Sequence, residues 1–168
     1  MKKLCSFILA LSIAFTAFSF SSPASAEEIN TNKKYSMVSS QLGTKLGFQI
    51  ASSNWDYVKL GTGSPVKFHQ TSSGKYKIEM LQSTHSGYQY FTVNTSALSP
   101  NAGYVYLDQE SKADEWTLKF ATNNGKQGYT LYNERTDSYL GWLKPGWDNQ
   151  YWARISEGGE VWILQEVQ

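Results

Sequence analysis

The residues best suited to hold a ligand lie in one connection, Trp142–Gln150, which contains two tryptophans, one acid and two amides. Flat aromatic faces pack on the apolar CH face of a sugar ring, while short carboxylate and amide groups hydrogen-bond to hydroxyls. A large apolar side chain is rarely exposed in a loop without a use. The predicted site residues are Tyr139, Trp142, Trp147, Asp148 and Asn149. The alternative is that Trp142 and Trp147 are core residues.

A second candidate site precedes another predicted strand, where Trp55 and Asp56 again place an indole beside an acid. The corresponding stretch of the middle of the chain, Pro100–Gly103, has neither residue type. Two weak sites on one rigid body favour multivalent surfaces over soluble monosaccharides. The alternative is that Trp55 only covers one end of the fold.

Catalytic combinations of residues are scarce. The two histidines, His69 and His85, have no metal-ligand spacing, and no phosphate-cradling loop or serine nucleophile motif occurs. Acid pairs such as Asp108 with Glu110, or Glu110 with Asp114, could form a glycosidase couple. Fourteen acids make such neighbours ordinary, so we expect a protein that binds rather than catalyses, with no metal and no cofactor.

The first 26 residues have the features of a secretory signal peptide: two lysines, an apolar run from Leu4 to Phe20, and the small residues Ala24-Ser-Ala26. The short lysine start is typical of bacterial export signals, so we expect secretion from a bacterium. The alternative is a membrane anchor, for which the run is somewhat short. The sole cysteine, Cys5, leaves with this segment, so the exported chain must rely on its packed core.

The net charge argues against nucleic-acid partners. The full chain has a formal charge of +1, which becomes −1 without Lys2 and Lys3. Binding to nucleic acid or to anionic lipid favours a basic surface, which this composition does not supply. We therefore expect no nucleic-acid partner and no stable membrane insertion, and the sequence does not indicate an oligomeric state.

The predicted strands that would hold these side chains recur in three similar units along the chain. The third strand of each unit matches best, at Tyr57–Leu60, Tyr104–Leu107 and Trp152–Ile155, with a step of about 47 residues between units. The same order holds for the first strands, at Lys34–Met37, Lys75–Ile78 and Gly128–Leu131. Second strands follow at Leu46–Phe48, Tyr88–Tyr90 and Leu140–Trp142, and the fourth are marked by Phe68, Trp116 and Trp162.

Twelve short strands in three sets of four predict an all-β domain. No apolar pattern of helical period follows residue 27, whereas Tyr-, Val- and Trp-rich runs alternate with Gly, Asn and Ser clusters. A three-bladed propeller would be too small, while a closed barrel with threefold pseudosymmetry removes exposed strand edges. We expect the aromatic and aliphatic triplets to fill its shared interior. The predicted organisation is a signal peptide over 1–26, a flexible arm over 27–33 and one domain over 34–168.

The sequence from residue 34 to 168 resembles the β-trefoil superfamily, and within it the ricin-B-type lectin modules. The resemblance depends on the Tyr-x-aliphatic openings, on Tyr139-Leu140 after a polar turn, and on the Trp that ends the later repeats. The Gln-x-Trp motif of the lectins has counterparts in Asp114-Glu-Trp116 and Glu160-Val-Trp162, without the glutamine. The resemblance implies a six-stranded barrel capped by three hairpins, with a shallow ligand site in each repeat.

The resemblance also implies an acid after the second-strand leucine in sugar-binding members. Gly47 and Gly141 occupy this position here, which argues against recognition of galactose by the usual residues. The favoured function is a secreted, lectin-like protein that binds extracellular or cell-surface glycan or glycoprotein. The alternative is a protein-binding trefoil, either a protease inhibitor or a toxin's receptor-binding component. An inhibitor would act through one protruding loop, either Leu98–Gly103 or Lys144–Gly146. A matrix protein without a small ligand is a third possibility.

Overall fold

The computed structural model describes residues 28–52, 55–61, 63–97, 99 and 102–168. The predicted signal peptide therefore lies outside the described residues. Twelve strands and one short 3-10 helix, Glu110–Lys112, make up the regular structure of the described chain. The strands are β1 (Lys34–Ser39), β2 (Lys45–Ser52), β3 (Trp55–Gly61), β4 (Val66–Gln70), β5 (Tyr76–Met80), β6 (Tyr90–Val93), β7 (Val105–Asp108), β8 (Thr117–Asn123), β9 (Lys126–Asn133), β10 (Ser138–Leu143), β11 (Tyr151–Ser156) and β12 (Trp162–Val167).

Six of these strands close into a barrel. The hairpins β4–β5 and β8–β9 and the pair β1–β12 are antiparallel ladders of five to seven residue pairs. The first and fourth strands of each repeat touch more briefly, through Tyr35↔Val66 in the first and Tyr129↔Trp162 in the third. A bridge between Tyr76 and Trp116 makes the equivalent contact in the second repeat. The ring of strands is therefore β1, β4, β5, β8, β9 and β12.

The remaining strands form three hairpins, β2–β3, β6–β7 and β10–β11, which meet around one axis. Their contacts repeat with threefold regularity, since Tyr57 pairs with Tyr106, Tyr104 with Arg154 and Trp152 with Lys59. Each leading aromatic residue thus pairs with the residue two positions after the leading aromatic of a neighbouring repeat. This regularity confirms the predicted pseudo-threefold arrangement.

The core lies inside the barrel and beneath the hairpins. Phe68, Trp116 and Trp162, the markers of the fourth strands, are fully buried there. Strand alternation sends Val58, Leu60, Val105, Leu107 and Ala153 into the same core from the hairpin strands. The aliphatic residues of the third strands therefore fill the interior as predicted.

The aromatic leaders of the third strands are not part of this central cluster, contrary to prediction, although Tyr104 and Trp152 are buried. Tyr57, Tyr104 and Trp152 lie outside the central apolar cluster, on the opposite face of the hairpin strands. Successive side chains of a strand point to opposite faces, so an inward Val58 requires an outward Tyr57. The three aromatic residues do meet near the axis, but above the core rather than within it.

The register of the second repeat also differs from the sequence alignment. Leu46 pairs with Leu60, Phe91 with Leu107 and Leu140 with Ile155, which makes these three second-strand residues equivalent. The aligned segment Tyr88–Tyr90 is therefore three residues early. The position after the second-strand leucine is then Gly47, Thr92 and Gly141, so the second repeat has no acid there either.

Residues 28–33 pack against the barrel. Ile29 is buried in the core cluster, Lys33 forms an ion pair with Glu166, and the Tyr35 hydroxyl donates a hydrogen bond to the carbonyl of Asn30. The apolar contact of Ile29 holds these residues to the domain.

Candidate functional site

The outer face of the three hairpins presents the aromatic residues that the core does not use. In β3, Val58 and Leu60 are buried, while Tyr57 and Lys59, which alternate with them, are half-buried on the other face of the strand. The equivalent residues of the other repeats lie on the same face. This surface is called the cap face and consists of Tyr57, Lys59, Tyr104, Tyr106, Trp152 and Arg154.

A cavity of about 280 Å³ opens on the cap face beside the connection that leads into β11. We call it the cap pocket. Three cap-face residues, Tyr57, Tyr104 and Trp152, form part of its wall. Trp147 and Asp148 come from the connection, and Gln49 and Ile50 from β2 complete the lining. The volume is close to the lower end of the range for small-ligand sites.

Trp147 is the most exposed large apolar side chain among the described residues, with 76% of its surface open to solvent. Ile50, across the cap pocket, is also exposed, at 46%. Exposed apolar surface of this kind is unfavourable in water and often marks a place where a partner binds. The cap pocket therefore has an open apolar rim formed by two repeats.

Asp148 is held in one orientation at the pocket wall. The indole nitrogen of Trp152 donates a hydrogen bond of 2.8 Å to one carboxylate oxygen, and the backbone N–H of Gln150 donates one of 3.1 Å to the other. A carboxylate has about four lone-pair positions, so capacity for further donors remains. Asp148 can therefore accept hydrogen bonds from a ligand without rearranging.

Two cationic side chains of the cap face, Lys59 and Arg154, already interact with other residues of the chain. The Lys59 ammonium donates to the side-chain oxygens of Gln49 and Gln150, which links β3 to the segments on either side. The Arg154 guanidinium lies over the Tyr104 ring at 5.4 Å, a favourable cation–π distance. Gln49 uses its oxygen for Lys59 and so offers its NH₂ group as the donor to a ligand.

Tyr106 extends the cap face toward the second repeat. Its hydroxyl donates a hydrogen bond of 3.2 Å to the buried carboxylate of Asp108. Burial, followed by the negative charge of Asp108, raises the pKa of Tyr106 to about 12. The hydroxyl consequently stays protonated and fixed throughout the neutral range.

Two residues predicted for the Trp147 site lie elsewhere. The Trp142 indole nitrogen donates a 2.7 Å hydrogen bond to Glu160, and its ring packs edge-on against Tyr151. Tyr139 packs against Tyr132, with ring centroids 5.1 Å apart. Neither lines the cap pocket. Asn149 is exposed next to Asp148 but is not part of the pocket wall either.

The residues predicted for the first repeat also separate. Asp56 is buried, with 1% exposure, and accepts a hydrogen bond from the backbone N–H of Thr84. The Asp56 carboxylate is therefore shielded from solvent and cannot accept hydrogen bonds from the hydroxyl groups of a ligand. Trp55 remains partly exposed and lines a smaller cavity of about 160 Å³ with Tyr57, Asn94 and Tyr106.

Other depressions of the described surface are lined by charges that already pair within the chain. Arg135 donates to the buried Asp114 through two nitrogens, and Lys75 pairs with Glu134. Of the histidines, His69 contacts Glu79 at 2.7 Å. Among the described residues, no group of three or more His, Cys, Asp or Glu side chains could hold a metal ion. Among the described cavities, the cap pocket is thus the one that combines an exposed tryptophan with an oriented carboxylate.

Sequence reasoning missed Tyr57, Tyr104, Trp152, Gln49 and Ile50 as pocket residues. It assigned the aromatic leaders to the core because they recur in every repeat. The period of two within each third strand carried the correct signal, since Val58 and Leu60 cannot share a face with Tyr57. The contribution of β2 has no comparable signal, because Gln49 and Ile50 reach the pocket through the packing of different repeats.

Comparisons with known proteins agree with this architecture. No protein-family model matches the sequence, and no curated protein matches it. Solved structures do match. Lysenin bound to phosphocholine aligns with 18% identity and a TM-score of 0.62 over 83% of this chain and 46% of lysenin. A rice bifunctional alpha-amylase/subtilisin inhibitor from Oryza sativa aligns with 16% identity and a TM-score of 0.63, over 83% of this chain and 92% of the inhibitor.

The chain is a β-trefoil. This β-trefoil spans about half the length of lysenin, so the resemblance covers only part of that protein. A Culex salivary protein of the Cysteine and Tryptophan-Rich family matches over 98% of its length, again with only 16% identity and a TM-score of 0.62. Identities this low establish the fold alone, since the same fold hosts unrelated sites. In the described part of the trefoil, no helix has the length and apolarity to cross a membrane.

Proposed function

We propose that this β-trefoil is a secreted, non-catalytic, lectin-like protein that binds extracellular or cell-surface glycans in the cap pocket. The observation that carries the proposal is Trp147, 76% exposed at the pocket rim, beside the oriented carboxylate of Asp148. The solved structures that share this fold include lysenin bound to phosphocholine and an alpha-amylase/subtilisin inhibitor. Both bind other molecules, which is consistent with a binding role for this chain. The choice of glycan comes from the chemistry of the pocket.

The pocket chemistry suits a sugar ring in two ways. The indole of Trp147 offers a flat apolar face, on which the CH groups of a pyranose can pack with little loss of side-chain freedom. Asp148 offers acceptor oxygens and Gln49 an NH₂ donor to the same pocket, which matches the mixed donor and acceptor character of vicinal hydroxyls. Hydrogen bonds to a charged acceptor are stronger than those to a neutral one.

A quaternary ammonium group is the second candidate ligand. Aromatic rings attract such a cation through their negative faces, and none of the ion pairs found among the described residues involves Asp148. Lysenin, which shares the fold, has been solved with phosphocholine. Phosphocholine therefore enters the binding experiments as a competitor.

Protease inhibition is the alternative function. It requires a convex loop that presents its backbone, and two loops were candidates in the sequence. In Lys144–Gly146, Pro145 is buried and its carbonyl accepts the N–H of Asp148, so this turn is held against the protein. Leu98, Pro100 and Asn101 of the other loop lie outside the described residues. Trypsin and subtilisin assays with the purified protein test this alternative.

A glycan array with the chain from residue 27 onward tests the proposal. We expect the wild type to bind a subset of glycans, and Trp147→Ala to lose at least about tenfold in affinity, as removal of a stacking aromatic does. Phe120→Ala is the matched control, because Phe120 is 40% exposed on β8 and away from the cap pocket. Absence of any bound glycan, or unchanged binding by Trp147→Ala, would overturn the proposal. Displacement by free phosphocholine alone would favour the second ligand.

A further inference from the structure

The aromatic surface does not stop at the cap pocket. Tyr57 lines both the cap pocket and the smaller cavity formed with Trp55, Asn94 and Tyr106. Ring centroids along this path are 5.4 Å apart from Trp55 to Tyr106, 6.1 Å from Tyr106 to Tyr57, and 6.5 Å from Tyr57 to Trp152. The two cavities are therefore neighbours that share a wall, although sequence reasoning treated Trp55 and Trp147 as parts of separate sites.

The ring planes along this path turn sharply. The interplanar angles are 85° between Trp55 and Tyr106, 44° between Tyr106 and Tyr57, and 86° between Tyr57 and Trp152. A crystalline polysaccharide presents a flat surface, which calls for aromatic rings lying in one plane. A ligand that contacts several of these rings must instead turn between them, as a free chain does at its glycosidic linkages.

Polar groups are available in the smaller cavity as well. The Asn94 side chain is fixed, because its nitrogen donates to Ser99 and its oxygen accepts the N–H of Ser96. An amide oxygen has two lone pairs, so it retains capacity for one more donor. Each cavity thus combines an aromatic wall with an oriented side-chain oxygen, that of Asp148 in one and of Asn94 in the other.

From this geometry we propose that the two cavities are subsites of one bent groove that binds consecutive units of a single flexible oligosaccharide. The inference rests on the proposed function and specifies its ligand: a soluble or glycoprotein-linked chain of two or more sugars, not a crystalline polymer. Once one unit is held in the cap pocket, the next is bound without a second loss of translational freedom. Affinity should therefore rise with chain length.

Chain-length series test this groove. Cello-, laminari-, chito- and manno-oligosaccharides of one to six units are titrated into the wild type by calorimetry. We expect at least one series in which affinity rises at least about tenfold between one and four units. We also expect no enrichment on crystalline cellulose or chitin. These measurements need only the wild type and so do not depend on the folding of a variant.

Two variants locate the effect. Trp55→Leu should bind a single sugar within about twofold of the wild type but lose the gain with length, because only the second subsite is changed. Trp147→Ala should weaken every length. Phe120→Ala serves again as the control.

Different results would contradict the groove and the proposed function. Equal affinity for one and four units, or a length gain that survives in folded Trp55→Leu, overturns the groove while leaving a one-sugar site in the cap pocket. Tight binding to a crystalline polymer also overturns it. Absence of binding to every series and every array glycan overturns the proposed function, and the groove with it.

Discussion

Glu160 replaces, residue for residue, the glutamine that the lectin resemblance leads one to expect before Trp162. It is buried, and its carboxylate accepts hydrogen bonds from the Ser40 hydroxyl, the Gln41 N–H and the Trp142 indole. Three donors from two distant segments converge on one side chain, so the acid joins the first repeat to the third. This is a structural role, which explains why the partly buried Trp142 directs its indole N–H to Glu160 and does not line the cap pocket.

Glu160→Ala should lower the free energy of unfolding by about 2–5 kcal/mol, because it leaves buried donors without an acceptor. Glu160→Gln should cost less, about 1–2 kcal/mol, since its amide oxygen replaces one of the two acceptors. Urea unfolding followed by tryptophan fluorescence measures both. Glu157→Gln, on an exposed residue of the same connection, is the control. A loss from Glu160→Ala no larger than that of the control would contradict the assigned role.

Tyr106 links stability to alkaline pH. Its pKa in the folded protein is about 12, against 10 in the unfolded chain. Above pH 10 the unfolded chain releases this proton while the folded protein keeps it, so the contribution of Tyr106 to folding stability is fully present below pH 10 and is lost as the pH rises through about 12.

Tyr106→Phe should therefore reduce the loss of stability between pH 9 and pH 11.5, because the group that titrates is absent. At pH 7 the same change should cost about 1 kcal/mol through the hydrogen bond to Asp108. Urea midpoints at the two alkaline pH values provide the measurement. Identical pH dependence in the wild type and in Tyr106→Phe would contradict the raised pKa.

At the level of the strands, their positions and order could be predicted from the sequence. It was harder to predict which side chains of each strand point to the core and which point to the cap face. The Tyr-x-aliphatic pattern locates β1, β5 and β9, and the buried Trp116 and Trp162 mark the fourth strands. Recurrence alone does not distinguish a core aromatic residue from one on the cap face. The pattern Tyr57-Val-Lys-Leu60 does distinguish them, because its two aliphatic residues must share the inward face.

The second repeat shows a limit of a different kind. Tyr88–Tyr90 looks like the second strand because its aromatic residues alternate, yet β6 begins only at Tyr90. The segment before β6 instead forms a hydrogen bond to the first repeat, in which the backbone N–H of Thr84 donates to the Asp56 carboxylate. Such a contact between distant segments leaves no periodic trace in the sequence.

Gly128 tests how closely β9 approaches β12. A methyl group at this position would collide with the carbonyl oxygen of Trp162, which belongs to the backbone and cannot move aside as a flexible side chain could. Gly128→Ala should cost about 2–4 kcal/mol of unfolding free energy, since the barrel strands must separate locally. Gly158→Ala is the control, because nothing lies within 4 Å of its added carbon. Equal stability of the two variants in urea would argue against the close β9–β12 contact.

At the scale of the whole molecule, the threefold repeat explains why the ligand site was only partly predictable. The sequence places separate candidate sites in the first and third repeats, whereas the cap pocket takes Gln49 and Tyr57 from the first repeat, Tyr104 from the second and Trp147 from the third. The pseudo-threefold scaffold brings the three repeats together around one axis. The connection before β11, which contains Trp147 and Asp148, makes the surface around this axis different in the third repeat. Trp147 and Asp148 were predicted because their residue types stand out, while their partners depend on how the hairpins assemble.

The most direct test of ligand binding on the cap face follows the six tryptophan indole N–H signals by NMR while the tightest-binding soluble oligosaccharide is added. Signals are assigned by single Trp→Phe substitutions. If the ligand binds on the cap face, the signals of Trp147 and Trp152 shift until saturation, while those of the buried Trp116 and Trp162 and of the Glu160-bound Trp142 remain in place. A shift of the Trp142 signal with those of Trp147 and Trp152 unmoved at saturation would contradict binding on the cap face.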